Sequence, residues 1–312
     1  MTTYAAHLNV PYPGGASPSD PRRALDLFLP SASSSTSPLL LFIHGGAWRS
    51  ESKDDFTHTL VPNLLKHTNL PLAVLEYRLA PSFPHPAQIN DVLAGLSLLT
   101  SSTLLDAEKG EAKWDRSKLF VAGHSAGAFM AASLVLRPPP SLSSSSNPTA
   151  SSIAQSFTVP SSIRHSITGI ICLDGIYDLP SLLSEYPSYA SFVNEAFGTD
   201  PSVLAAESPA RWELYDDDVK EQRRVKVLVV HSQEDELLSL RQPRVFLRRL
   251  SQLYGAEEIE GDEQETADDK VSGQEELDLP DNVEVDFEIV KGTHNGMLER
   301  EEVARVIAMR LR

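Results

Sequence analysis

The apolar run Leu119-Phe120-Val121-Ala122 leads into Gly123-His124-Ser125-Ala126-Gly127 and then into the helix-like stretch from Ala128 to Leu136. Strand, tight turn and helix form the setting in which a Gly-x-Ser-x-Gly turn presents a serine hydroxyl for nucleophilic attack. Only small residues fit beside a serine held that tightly, which accounts for both glycines. Ser125 would stand at a helix N-terminus, whose dipole favours developing negative charge. A second cluster, His44-Gly45-Gly46-Ala47-Trp48, directly follows the apolar run Leu39 to Ile43. Attack on a carbonyl creates an oxyanion, which needs backbone N–H donors that no side chain obstructs. Gly45 and Gly46 supply such donors, and the N–H of Ala126 would complete the set. The chemistry these residue types can perform is acyl transfer.

A serine nucleophile needs a base, and the chain has nine histidines. His7, His58, His67 and His165 follow no buried strand, and His85 lies in a Phe-Pro-His-Pro turn. His44 and His124 fall inside the two motifs, and His231 precedes the candidate acid instead of following it. His294, in Gly-Thr-His-Asn-Gly between the last strand and the final helix, is therefore the expected base. The orienting carboxylate should follow the strand-like run Val225 to Val230, where Glu234, Asp235 and Glu236 compete and spacing does not separate them. Asp174 and Asp178, after the preceding strand, are further alternatives. Ser125, Asp235 and His294 occur in the chain order nucleophile, acid, base, so Asp235 is preferred. Cys172, inside an apolar strand, reads as an inert buried thiol.

These groups converge only if a scaffold brings distant segments together. Leu39 to Ile43, Leu72 to Leu75, Leu119 to Ala122, Gly169 to Leu173 and Val227 to Val230 read as strands buried on both faces. Val283 to Val290 alternates apolar and acidic residues, as a strand with one solvated face would. Helical spacing recurs at Phe246, Leu250 and Leu253, and again at Val303, Ile307 and Leu311. Strand alternating with helix implies an α/β domain, with a mainly parallel central sheet and helices on both faces. Ligands then bind at the C-terminal ends of the strands, where the candidate residues fall. The irregular, aromatic-rich segment 178–215 is expected to form a small cap within this single domain over residues 1–312.

Residues 31–37 and 138–152 are serine-rich, and 257–281 is acidic; all three read as low-complexity surface insertions. The formal charge is −16, but twelve acidic residues and one lysine between Glu257 and Asp281 account for −11 of it. No basic cluster suggests nucleic-acid binding, and no apolar stretch is long enough to span a membrane. The first fifteen residues show no secretory pattern, and one cysteine permits no internal disulfide or cysteine-based zinc cluster. A cytoplasmic protein is expected, with a small-molecule partner, no cofactor or metal, and a homodimer as the assembly it allows.

His44-Gly45-Gly46-Ala47-Trp48, Glu76 to Pro81 (EYRLAP), the GHSAG turn at Ser125, HSQEDELL (His231 to Leu238) and GTHN around His294 together resemble the α/β-hydrolase superfamily over nearly the whole chain. Hormone-sensitive-lipase-type esterases usually carry HGGG and GDSAG; Ala47 and His124 stand at those places here. HGGxW with GHSAG is more similar to kynurenine formamidase (arylformamidase), particularly its fungal form. The resemblance implies a Ser125–Asp235–His294 triad, Gly45, Gly46 and Ala126 as oxyanion donors, and hydrolysis of N-formyl-L-kynurenine on the route from tryptophan to NAD. His44 and Trp48 are the motif residues expected near substrate, Trp48 against its aryl ring. A short-chain carboxylesterase is the alternative, and a catalytically silent ligand receptor a third reading.

Overall fold

Runs that are apolar at every position need cover on both sides, and a computed structural model puts them at the centre of one sheet. The structure describes residues 3–12, 22–101, 113–139, 157–255 and 278–311. Among these residues eight strands pair: β1 (Tyr4–Pro11), β2 (Ala24–Pro30), β3 (Leu39–Ile43), β4 (Leu72–Leu75), β5 (Leu119–His124), β6 (Ile167–Leu173), β7 (Lys226–Val230) and β8 (Val283–Asp286). Their order is β1-β2-β4-β3-β5-β6-β7-β8. β1 and β2 are antiparallel to their neighbours, and β4 through β8 are parallel.

The helices are α1 (Leu60–Thr68), α2 (Ala87–Thr100), α3 (Ala126–Ser133), α4 (Ser161–Ser166), α5 (Leu179–Glu185), α6 (Ala190–Phe197), α7 (Pro201–Ala206), α8 (Asp216–Lys220), α9 (Arg241–Tyr254) and α10 (Glu301–Arg310). Successive strand residues point to opposite faces. Thus Leu39, Leu41 and Ile43 join a core with Leu96 of α2 and Phe246 of α9. Leu40 and Phe42 join a second core with Leu64 of α1 and Ile307 of α10. The two covered faces are why β3 has no polar position.

A third apolar cluster lies over the C-terminal ends of the strands. Leu179 and Leu182 of α5, Phe192 and Phe197 of α6, and Leu204 of α7 pack there on Trp48, Phe129 and Leu238. α5 and α7 are short and each begins at an aspartate cap with proline in the first turn. Asp178 accepts the Ser181 N–H and Asp200 that of Ser202.

Two regions depart from the sequence reading. β1 and β2 have no counterpart in the apolar pattern. Asp26 interrupts the apolar run of β2 yet is buried with it, because Lys53 Nζ stands 3.1 Å from its carboxyl and the Asn9 N–H bonds it at 2.7 Å. The alternating segment from Val283 is a strand only as far as Asp286. The Asp286 side chain accepts the Glu288 and Ile289 N–H groups and turns the chain, so Ile289 is exposed and not in a sheet. Of the expected insertions, residues 140–152 and 257–277 lie outside the described residues. Among the described residues no helix is long and apolar enough to cross a membrane.

Candidate active site

Ser125 lies between β5 and α3 with φ 53° and ψ −115°, a backbone conformation that side chains rarely adopt. The strain is held from both sides: the Ser125 N–H bonds Leu173 O at 2.9 Å, and its carbonyl accepts the Ala128 N–H at 3.0 Å. A side chain at Gly123 would collide with the Gly127 backbone, and one at Gly127 with the carbonyls of Ile43 and His44. The turn therefore lies directly against the end of β3. A methyl group on Gly45 would stand 3.0 Å from Ser125 Cβ and 2.9 Å from His124 Nδ1, so only glycine lets this backbone run beside the serine.

The Gly45 peptide is fixed from below by the Glu76-Tyr77 pair. Tyr77 donates its hydroxyl to Gly45 O at 2.5 Å, and its ring stacks on that of His44 at 4.1 Å. His44 Nε2 lies 3.5 Å from Glu76 Oε1. The next residue, Arg78, forks onto Asp91 of α2 at 2.8 and 2.9 Å, which anchors the segment to the body of the fold.

The candidate acid and base lie in the loops after β7 and β8. His294 donates Nδ1–H to Asp235 Oδ2 at 2.7 Å, which leaves Nε2 as the basic nitrogen. The other Asp235 oxygen accepts the Leu237 and Leu238 N–H groups at 2.8 and 2.9 Å. Burial works against the Asp235 charge. The His294 hydrogen bond and charge, helped by the two backbone donors, outweigh it and hold the carboxyl below its ordinary value. The His294 loop is clamped at three points: Ser232 Oγ–H to Gly292 O at 2.6 Å, His294 N–H to Glu236 Oε2 at 2.9 Å, and His124 Nε2–H to His294 O at 2.9 Å.

Of the competing carboxylates, then, Asp235 meets the imidazole, Glu236 holds its backbone, and Glu234 is exposed. Asp178 caps α5 and pairs with Arg211 at 2.6 Å, away from the histidine. Asp174 is buried beside Asp235 and His231, their oxygen and nitrogen atoms all within 4.8 Å of one another. These are the donor types of a cation site, but Asp235 is committed to His294, which leaves one Asp174 oxygen and the His231 Nδ1 lone pair. Too few free donors remain to hold an ion. Cys172 is buried, which pushes its thiol up to about 12 and keeps it inert.

Trp48 is where the expectation needs correction. Its ring is fully buried and offers no face to a substrate. It stands edge-on to Phe129 at 5.3 Å and to Phe197 at 4.9 Å, joining the Gly45–Gly46 loop to α6. His44 is likewise fully buried and holds backbone, with no surface for substrate.

Three contributors escape the sequence reading. His124 occupies the variable position of the serine turn; burial first and the His294 charge second keep it neutral, as a donor to the His294 carbonyl needs no charge. Glu236 is, by spacing, one of three interchangeable acids. Glu51, in a polar stretch with no pattern, has a carboxyl with one buried oxygen that finds no partner among the described residues. Burial raises its pKa against the opposing influence of His44, His294 and the Gly45 N–H. No sequence signal distinguishes it from its solvated neighbours.

Residues 25–250 match the BD-FAE family. The kynurenine formamidase of Meyerozyma guilliermondii is 33% identical over 209 residues, 66% of this chain and 69% of that protein. That of Scheffersomyces stipitis is 31% identical over 229 residues, 70% of this chain and 80% of that protein. Among solved structures, a truncated carbohydrate esterase from gut microbiota superposes with a TM-score of 0.68 at 15% identity, over 99% of this chain and 96% of the other. The architecture is that of an α/β-hydrolase.

Proposed function

This chain belongs to the BD-FAE family and is similar to kynurenine formamidases, and we propose that it is a serine hydrolase that converts N-formyl-L-kynurenine to L-kynurenine and formate. The observation that carries the mechanism is the 2.7 Å bond from His294 Nδ1 to Asp235, in a loop tied to the residue before Ser125. It orients Nε2 as the free base. Ser125 Oγ attacks the formyl carbon while His294 Nε2 takes its proton. The N–H groups of Gly45, Gly46 and Ala126 receive the oxyanion, and Asp235 stabilises the imidazolium. His294 then protonates the departing arylamine nitrogen, leaving Ser125 O-formylated. Water, deprotonated by the same imidazole, cleaves that ester and releases formate. The reading also makes the protein cytoplasmic, acting on a small molecule without nucleic acid and allowing a homodimer.

Formyl is the smallest acyl group, so the acyl pocket should reject longer chains. The test measures kcat/KM for N-formyl-L-kynurenine beside p-nitrophenyl acetate and butyrate. The formamide should exceed the butyrate ester by about 100-fold or more, a difference of roughly 2.7 kcal/mol in transition-state stabilisation. Butyrate turnover that equals the formamide would instead indicate a general carboxylesterase.

A further inference from the structure

Asp174 follows β6 at φ 40°, fully buried. One oxygen, Oδ1, accepts the Ser232 N–H at 2.7 Å; Oδ2 is buried without a partner among the described residues. The titratable groups around it are Asp235, His231, His124 and His294, with Glu236 farther out in its field. His231 gives Nε2–H to Leu238 O, so the Nδ1 that lies 3.7 Å from Asp174 Oδ1 presents a lone pair. His124 gives its Nε2–H to His294 O, and His294 gives Nδ1–H to Asp235. Among the described residues Asp174 therefore faces ring nitrogens that present lone pairs and the Asp235 charge, with no Lys or Arg beside it to balance a second carboxylate.

Two buried carboxyls in one site cannot both ionise cheaply, and the one with more donors keeps the charge. Asp235 has three, the His294 imidazole and the Leu237 and Leu238 amides; Asp174 has the Ser232 amide. We propose that Asp174 is a positioning residue that stays protonated and donates its hydroxyl to Asp235, so that the acid of the proposed triad works as one half of a singly charged carboxyl pair. This rests on the serine-hydrolase reading of the same site. Burial, followed by the Asp235 charge, raises the Asp174 pKa, and Asp235 is lowered in return. The donated hydrogen bond holds Asp235 towards His294 and moderates how strongly its carboxylate stabilises the imidazolium.

The experiment is the pH profile of kcat and kcat/KM on p-nitrophenyl acetate for the wild type, Asp174→Ala and Asp174→Asn. Removing a hydrogen bond to a charged group should cost Asp174→Ala about 10-fold or more in kcat. Its acid limb should also move up, because an undonated Asp235 grips the protonated His294 harder. Asp174→Asn, neutral and still a donor through its amide, should rescue most of the loss and keep the acid limb within about half a unit of wild type. An acid limb that falls by more than that in Asp174→Asn would mean that a negative charge had been removed, and would overturn the proposal. So would an Asp174→Ala enzyme with unaltered rate and profile. Should the alanine variant fail to fold, the asparagine profile decides alone, together with infrared spectra at pH 7. Those should show a protonated-carboxyl C=O band in the wild type that Asp174→Asn loses; its absence from the wild type is contrary evidence. Failure of the hydrolase reading looks different: Ser125→Ala would then keep wild-type turnover.

Discussion

The two sides of Ser125 are held in place by different physics. On the Gly45 side, position comes from shape. Trp48 is wedged between Phe129 and Phe197, His44 lies flat on Tyr77, and glycine is the only residue that fits against the serine. On the His294 side, position comes from protons. Asp235 accepts from His294, His124 donates to the His294 carbonyl, Glu236 accepts the His294 N–H, and His231 donates to Leu238 O, with Asp174 buried beside them. The contrast follows from what each side must do. Backbone donors for an oxyanion need only be immobile, and close packing provides that without regard to pH. An acid–base pair must gain and lose charge during turnover, so its surroundings have to be polar. Damage to the first side should therefore appear mainly in stability, and damage to the second in rate and pH dependence.

The most severe break falls on the polar side. Ser125→Ala and His294→Ala should each lower kcat by roughly 10⁴-fold or more, since nucleophile and base act as a unit. Asp235→Asn should lose about 10⁴-fold through the wrong imidazole tautomer. Single-turnover rates measured with circular dichroism would check both activity and fold. A His294→Ala enzyme that kept a tenth of wild-type activity would move the base elsewhere.

Trp48→Ala probes the packed side. Emptying a fully buried indole site should cost about 3–5 kcal/mol of stability, read from urea unfolding. A change below about 1 kcal/mol would show that the loop is held some other way, and the contrast between the two sides would fail.

A subtler effect separates the sides by pH. Asp174, raised above its unfolded value, binds its proton more tightly when folded. Its contribution to stability is full below the unfolded value near pH ~3.9 and is lost as pH rises through the folded one. Asp235, lowered, acts in the opposite sense: its contribution is present above the unfolded value and lost as pH falls through the folded one. The amide introduced by Asp174→Asn has no such proton to lose. The melting temperature of Asp174→Asn relative to wild type should therefore climb between pH 5 and pH 8, by on the order of 5 °C. A gap independent of pH would contradict a raised Asp174. The least effect is expected at Arg49, which reaches Glu195 of α6 at 3.2 Å where both side chains are more than a third exposed. Arg49→Ala should change unfolding free energy by less than about 1 kcal/mol. A larger loss would mean that charge as well as shape holds the loop to α6.

What could be read in advance was whatever depends on near neighbours in the chain. The serine turn, the paired glycines and the doubly buried strands are local patterns, and each carries its physical cause within about ten residues. His294 could be proposed as the base by elimination because its loop follows a strand and precedes a helix. The order β1-β2-β4-β3-β5-β6-β7-β8 and the two N-terminal strands were not legible, since Asp26 looks solvated until Lys53 arrives from a distant loop. Trp48 could not be told from a substrate-facing aromatic, because its burial depends on Phe197, about 150 residues later in the chain.

The residue types alone determined that a serine, backbone amides and an imidazole would be available for acyl transfer on a parallel α/β scaffold. Only the tertiary structure decided which carboxylate meets the imidazole. Glu234, Asp235 and Glu236 are equivalent by spacing, and they part company because one meets Nδ1 of His294, one its backbone N–H and one the solvent. Asp174 is the clearest case. The protonation proposed for it rests on the balance of donors and acceptors that β5 and the loops after β6, β7 and β8 bring together around it, and no stretch of sequence contains that balance.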